Sequence, residues 1–387
     1  MVHVRKEPLL YILAFAMDAV FALVGLCVPL LAISLGATYD DLGALGAVGA
    51  LVYTIACVLS GRLADRIGYR VALSVSSLGV VFVFLTYTAV SSVGQIFLVV
   101  AASRLVLAGY WPPTQAWLGQ DKHGRDLLRT LGNFNVCWSL GIFAGPAVGG
   151  SLFGLDPDWP FLVASLGAAA VFAAITFVRL SPENGGTTTP RAPAHPDANR
   201  FRQIAWAANF ATFFAGGAVW FLFPKLASDL GIASGPLGRL MAVVGLAQLV
   251  TFYLVSRSDR WQFRLMPLIT VQLIGVLGLL SLATGNGIYP FAFGLATQGL
   301  LTGATFTASI FYALYSGGAG GRKTGIHEAI IGSGHLFGPL LGGLAAEHLG
   351  PRAPYALSAA VVLSAILVQL WLLYRRPARA LSPQAGD

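Results

Sequence analysis

Four ionisable side chains stand inside long apolar runs. Asp18 follows Lys6 by about twelve residues, which in a helix rising ~1.5 Å per residue is near mid-bilayer depth. Arg104 lies about ten residues into a later run, at comparable depth. A charge in hydrocarbon costs at least ~2.5–3.5 kcal/mol, so such residues mark ion or substrate pathways. We expect Asp18 and Arg104 to face each other across the first half of a central cavity. There the carboxyl could hold or release a proton as water access changes; the same pair could instead pin two helices together. Glu328 is shallower, and His335 follows near the same helix face. Such a pair could relay protons, since an unperturbed imidazole titrates near pH ~6.5. It could equally be a hydrogen-bonded seam.

Other chemistry finds no support. No residues have metal-ligand spacing, and Gly317–Gly321 lacks the Lys-Ser/Thr ending of a phosphate-binding loop. We therefore expect no metal, no cofactor and no enzymatic activity. Cys27, Cys57 and Cys137 all fall in apolar runs and read as packing residues.

The elements that position these groups follow from composition. Of 387 residues, 56% are hydrophobic and 10% charged, against about 25% charged in soluble proteins. Most of the chain must face lipid. Twelve apolar runs can be counted, and in hydrocarbon each must be a helix, because every backbone N–H and C=O needs a partner. The expected fold is an all-α membrane protein of twelve transmembrane helices. The net charge of +8 is no nucleic-acid patch: with the N-terminus inside, all Lys and Arg but Arg104, Lys225, Arg239 and Arg352 fall on the cytoplasmic side. That bias predicts a multi-pass protein of the cytoplasmic (inner or plasma) membrane with both termini cytoplasmic.

Residues 181–202, rich in Pro, Gly and Thr, read as a linker between helices 1–6 (residues 1–180) and helices 7–12 (203–387). The halves repeat at an offset of about 193–195 residues. Gly141-Ile-Phe-Ala-Gly-Pro-Ala-Val-Gly-Gly150 matches Gly334-His-Leu-Phe-Gly-Pro-Leu-Leu-Gly-Gly343, and Asp65-Arg66 matches Asp259-Arg260. Two pseudo-symmetric six-helix bundles are the natural reading.

Between helices 2 and 3 stands Gly61-Arg-Leu-Ala-Asp65-Arg66-Ile-Gly68-Tyr-Arg70, read as a short charged loop. It resembles the loop motif of the major facilitator superfamily. The helix-5 run with Gly141, Gly145, Pro146, Gly149 and Gly150 resembles the motif of that superfamily's drug/proton antiporter branches. Arg104 with Gly109 resembles its fourth-helix motif. The second-half loop, Ser256–Trp261, lacks the flanking glycines. The resemblance implies alternating access, with Asp65 making a gating contact near Gly325 in one conformation only. It also implies that helices 1, 4, 7 and 10 line the cavity. Their stripes offer Tyr11, Phe15, Trp111, Gln115, Asn209, Phe213, Trp220, Gln298, Thr302, Thr305 and Tyr312. Such a pocket suits a small amphipathic or weakly cationic organic solute, moved outward against protons. An importer or uniporter of the same fold, and a non-transporting membrane sensor, are the rivals.

Overall fold

A computed structural model describes residues 3–119, 124–180, 195–315 and 320–375. Most of the predicted linker, 181–194, and the tail from 376 lie outside them. The helices follow the apolar runs: α1 Lys6–Ser34, α2 Tyr39–Ile67, α3 Tyr69–Thr86, α4a Val93–Leu107, α4b Trp111–Gly119, α5 Gly124–Phe153 and α6 Trp159–Phe177. The second half has α7 Ala198–Asp229, α8 Ser234–Ser256, α9 Leu265–Thr284, α10 Ile288–Tyr315, α11 Gly320–Leu349 and α12 Ala353–Tyr374. Among the described residues, eleven helices are long and apolar enough to cross a membrane. Helix α10, at 28 residues, matches them in length. This is a multi-pass, all-α membrane protein. A two-residue parallel pairing of His3–Val4 with Arg179–Leu180 is the only sheet among the described residues.

Local sequence sets the helix ends. Thr38 and Asp41 form a reciprocal capping box that starts α2. The charged segment read as a loop is mostly helix. Gly61 to Ile67 complete α2, and Gly68 alone, at φ 88°, makes the turn into α3. Only that residue needs the left-handed backbone that glycine supplies; Arg, Leu and Ala before it are good helix formers. The fourth transmembrane segment breaks across residues 108–110, and Pro112 and Pro113 fall in the first turn of α4b, where a missing N–H costs nothing.

The repeat is visible in the packing. A Cβ on Gly141 would lie 2.6 Å from Ala19 N, and one on Gly145 2.7 Å from Leu23 N, so α5 lies backbone to backbone on α1. In the second half Gly334 and Gly338 seat α11 on Phe213 and Phe214 of α7 in the same way. The neighbouring glycines cross between halves. Gly150 packs on Gly238 of α8 and Gly343 on Gly43 of α2, with Cβ-to-Cα distances of 2.9 and 3.0 Å. Small residues permit this approach where lipid offers no hydrophobic drive to join helices.

These crossings are tightest at the face opposite the termini. There Tyr39 donates to Asp229 at 2.8 Å, tying α2 to α7. Towards the termini the seams loosen. Gly132 of α5 would find only Ser256 Cβ, at 3.9 Å. On the other side Thr54 still meets Gly332, but a Cβ at Gly61 or Gly325 would have nothing within 4 Å.

Candidate functional site

Asp18 sits on the face of α1 that meets α5. Its side chain is buried, at 4% exposure. One carboxylate oxygen accepts a 2.6 Å hydrogen bond from the Trp138 indole. The other is buried without a partner. Gly141, one turn beyond Trp138, leaves the space that Asp18 Cβ fills. The expected pairing with Arg104 is not formed. Arg104 belongs to the adjacent face of α1: its guanidinium lies 4.7 Å over the Phe21 ring, beside Gly49 of α2. Residues 18 and 21 point about 60° apart on a helix of 3.6 residues per turn, enough to give each its own neighbour.

Glu328 and His335 are not hydrogen-bonded to each other. Glu328 is exposed, in the stretch of α11 where the seam with α2 loosens. It lies within electrostatic reach of Tyr53 and Cys57. His335 packs edge-on to Phe213, with ring centroids 5.0 Å apart, and Arg104 is within electrostatic reach. The direct bond that either a relay or a hydrogen-bonded seam between them would use is not formed in this conformation. His327, by contrast, is fully buried, and its Nδ1 meets Ser309 at 2.7 Å.

Trp138 was not singled out by sequence reasoning, and it joins these parts. Its ring lies 6.0 Å from Phe306 of α10 and 6.3 Å from Phe252 of α8. Phe306 in turn packs on Phe213 and His327. An aromatic cluster thus runs from the Asp18 carboxylate into the second half. A signal was available: an indole N–H inside an apolar helix needs an acceptor, and Trp138 is one turn before Gly141.

The predicted lining residues divide. Phe15 is exposed, and Trp111, Gln115 and Trp220 are half-buried. Tyr11 reaches across to donate to Thr130 O. Phe213 is buried against His335 and Phe306. Asn209, Gln298, Thr302 and Thr305 are also buried, so they do not line an open cavity in this conformation. The Gln298 amide donates to Thr212 O, bridging α10 to α7. Thr302 and Thr305 donate to carbonyls of their own helix, and the Asn209 amide has no hydrogen bond among the described residues. Tyr312 also departs from expectation: it packs among Phe201, Trp261, Phe263 and Phe311 near the termini-bearing face.

Around Gly68 the two charges do different things. Asp65 is exposed and accepts only from Tyr69, at 3.2 Å, among the described residues. Arg70 donates to Ile175 O, Thr176 O and Val178 O at 2.8, 3.1 and 2.6 Å. It thereby caps the last carbonyls of α6, which a helix leaves unpaired.

Two sets of helices joined by glycine crossings, with an acid buried inside an apolar helix, define the arrangement to be compared. The sequence profile of the Major Facilitator Superfamily matches residues 10–207 and again 205–387. The chain belongs to the major facilitator superfamily. It is a transporter that moves small solutes, not an enzyme. Among its relatives is the multidrug resistance protein MdtG of Yersinia enterocolitica, 25% identical over 396 residues, covering 95% of this chain and 92% of that one. MdtG of Enterobacter lignolyticus is 26% identical over 98% of this chain and 95% of its own. A class G tetracycline resistance protein from Vibrio anguillarum is 31% identical over 38% of each chain. A bacterial homologue of the human lysosomal transporter Spinster shares the fold, with a TM-score of 0.70 at 14% identity over 96% of this chain and 97% of that one. So does the human organic anion transporter MFSD10, at 0.66 and 16% identity over 95% and 100%.

Proposed function

We propose that this superfamily member exports a small amphipathic organic solute in exchange for protons, with Asp18 as the proton carrier. The observation that carries the reading is the Asp18 carboxyl: buried in a transmembrane helix, bonded at one oxygen to Trp138 and unpartnered at the other. A carboxylate sealed from water is costly unless paired, so such a group gains from a proton when closed off and loses it when wetted. The multidrug and tetracycline resistance relatives support outward transport.

The bias of Lys and Arg supports cytoplasmic termini in the inner or plasma membrane. The loosened seams at Gly61, Gly132 and Gly325 would then face inward, where an exporter collects its solute. Segments 1–180 and 198–387 would rock about the aromatic cluster, with the stretch before α7 as the tether, since α7 already begins at Ala198 within the expected linker. Asp65 would find its gating partner near Gly325 only when the inner face closes.

Everted membrane vesicles loaded by an imposed pH gradient test this, with ethidium, tetracycline and 1-naphthylacetate as probes. Uptake of at least one should collapse when nigericin dissipates the gradient and fail in Asp18→Asn. Normal uptake by Asp18→Asn would remove Asp18 as carrier. Uptake indifferent to nigericin would remove proton coupling.

A further inference from the structure

Arg104 has no counter-charge. It makes no ion pair and no hydrogen bond among the described residues, and its expected partner Asp18 is held by Trp138. A guanidinium offers five N–H donors and stays charged in any protein environment. Here it lies over Phe21, with Gly49 leaving room for its stem: a Cβ there would sit 3.3 Å from Nε. The site is therefore shaped around the charge, and no ion pair among the described residues neutralises it.

Beside it is a narrow cleft, closed down to about 20 Å³ in this conformation and widened if the halves rock apart, lined by Phe21, Phe84, Tyr87, Ser103, Arg104 and Phe221. Phe221 comes from α7, so the cleft lies between the two halves. The Tyr87 and Ser103 hydroxyls, 3.1 Å apart, add polar groups on the same wall. His335, on α11, is within electrostatic reach of the guanidinium, and neither group forms an ion pair with a carboxylate among the described residues. Aromatic walls with one unmatched cation fit an aryl carboxylate: the rings take the apolar body, and the planar fork takes the two oxygens.

We infer that Arg104 and this cleft bind the carboxylate end of an amphipathic organic anion. The inference rests on the transport reading above and narrows its solute. A weakly cationic solute, which the sequence suggested, would meet an unshielded like charge here.

Equilibrium binding to purified protein in detergent tests this without any gradient or flux, so its outcome is separate from that of the vesicle assay. Isothermal titration at pH 7.5 compares 1-naphthylacetate with its neutral amide, 1-naphthylacetamide. The acid should bind wild type about tenfold tighter or more, as a charge-assisted bidentate contact requires. Arg104→Gln should erase that preference, and Arg104→Lys should keep part of it. Melting curves establish that each variant is folded before titration. Should Arg104→Gln fail to fold, Arg104→Lys decides, because a point charge without the fork must lower the preference. Equal binding of acid and amide, no binding of either, or an acid preference unchanged in the variants would each overturn the inference.

Discussion

The Trp138 indole donates to Asp18 at 2.6 Å across the α1–α5 seam, and the same ring touches Phe306 and Phe252 of the other half. The proposed proton carrier and the contact between halves are thus one bond apart. Trp138→Phe keeps the ring and removes the donor, leaving both Asp18 oxygens without a partner. A hydrogen bond to a charged group is worth roughly 1.5–3 kcal/mol, so gradient-driven uptake should fall about tenfold or more. Ligand binding without a gradient should change far less. Equal losses in both would mean that Trp138 serves only packing.

Arg70 makes a different prediction from its neighbours in the motif. Its three hydrogen bonds close the end of α6, in the same half of the chain. Arg70→Ala should therefore lower the melting temperature, by the equivalent of roughly 1.5–3 kcal/mol for a charged donor lost from carbonyls. Protein that remains folded at low temperature should still transport. A variant with unchanged melting and no transport would return Arg70 to the gate.

What the sequence could and could not reveal follows from the physics of helices in lipid. The spans were legible because backbone bonding forces helices, and the repeat because Gly150 and Gly343 make equivalent crossings on Gly238 and Gly43. Rotation about each helix axis was not. The Asp18 and Phe21 faces meet different neighbours, so a shared depth did not make Asp18 and Arg104 a pair. Asn209 and Gln298 are polar whether they face a pocket or another helix, and only the packing of α7 on α10 decides. Charge density around Asp65 looked like a loop, yet no residue before Gly68 breaks the helix.

Gly43 and Gly238 should behave as a pair. Their added Cβ atoms would run into Pro339 O, at 2.5 Å, and into Pro146 O. Both crossings lie at the face opposite the termini, closed in this conformation. Gly43→Leu or Gly238→Leu should hold that face apart, since backbone oxygens cannot yield as a flexible side chain can. Spin labels on either side of the Tyr39–Asp229 contact should move apart by several ångströms, about the diameter of the inserted side chain. Unchanged distances with normal transport would show that the seam tolerates the bulk.

His335 and Glu328 separate relay from packing. His335 packs roughly perpendicular to the Phe213 ring and makes no hydrogen bond to Glu328, and one helix face alone does not make a proton path. His335→Phe preserves an aromatic edge at that spot and abolishes titration. Gradient-driven uptake by this variant should stay within about threefold of wild type, the scale of a conservative packing change below ~1.5 kcal/mol. Glu328→Gln removes the titratable group from the loosened seam and keeps the side chain's shape. Its effect should be of similar size, and the double variant should equal the sum of the two free-energy changes, as expected for groups that do not interact. A large shared loss, with neither single variant adding to the other, would demonstrate a relay that forms in a conformation other than this one.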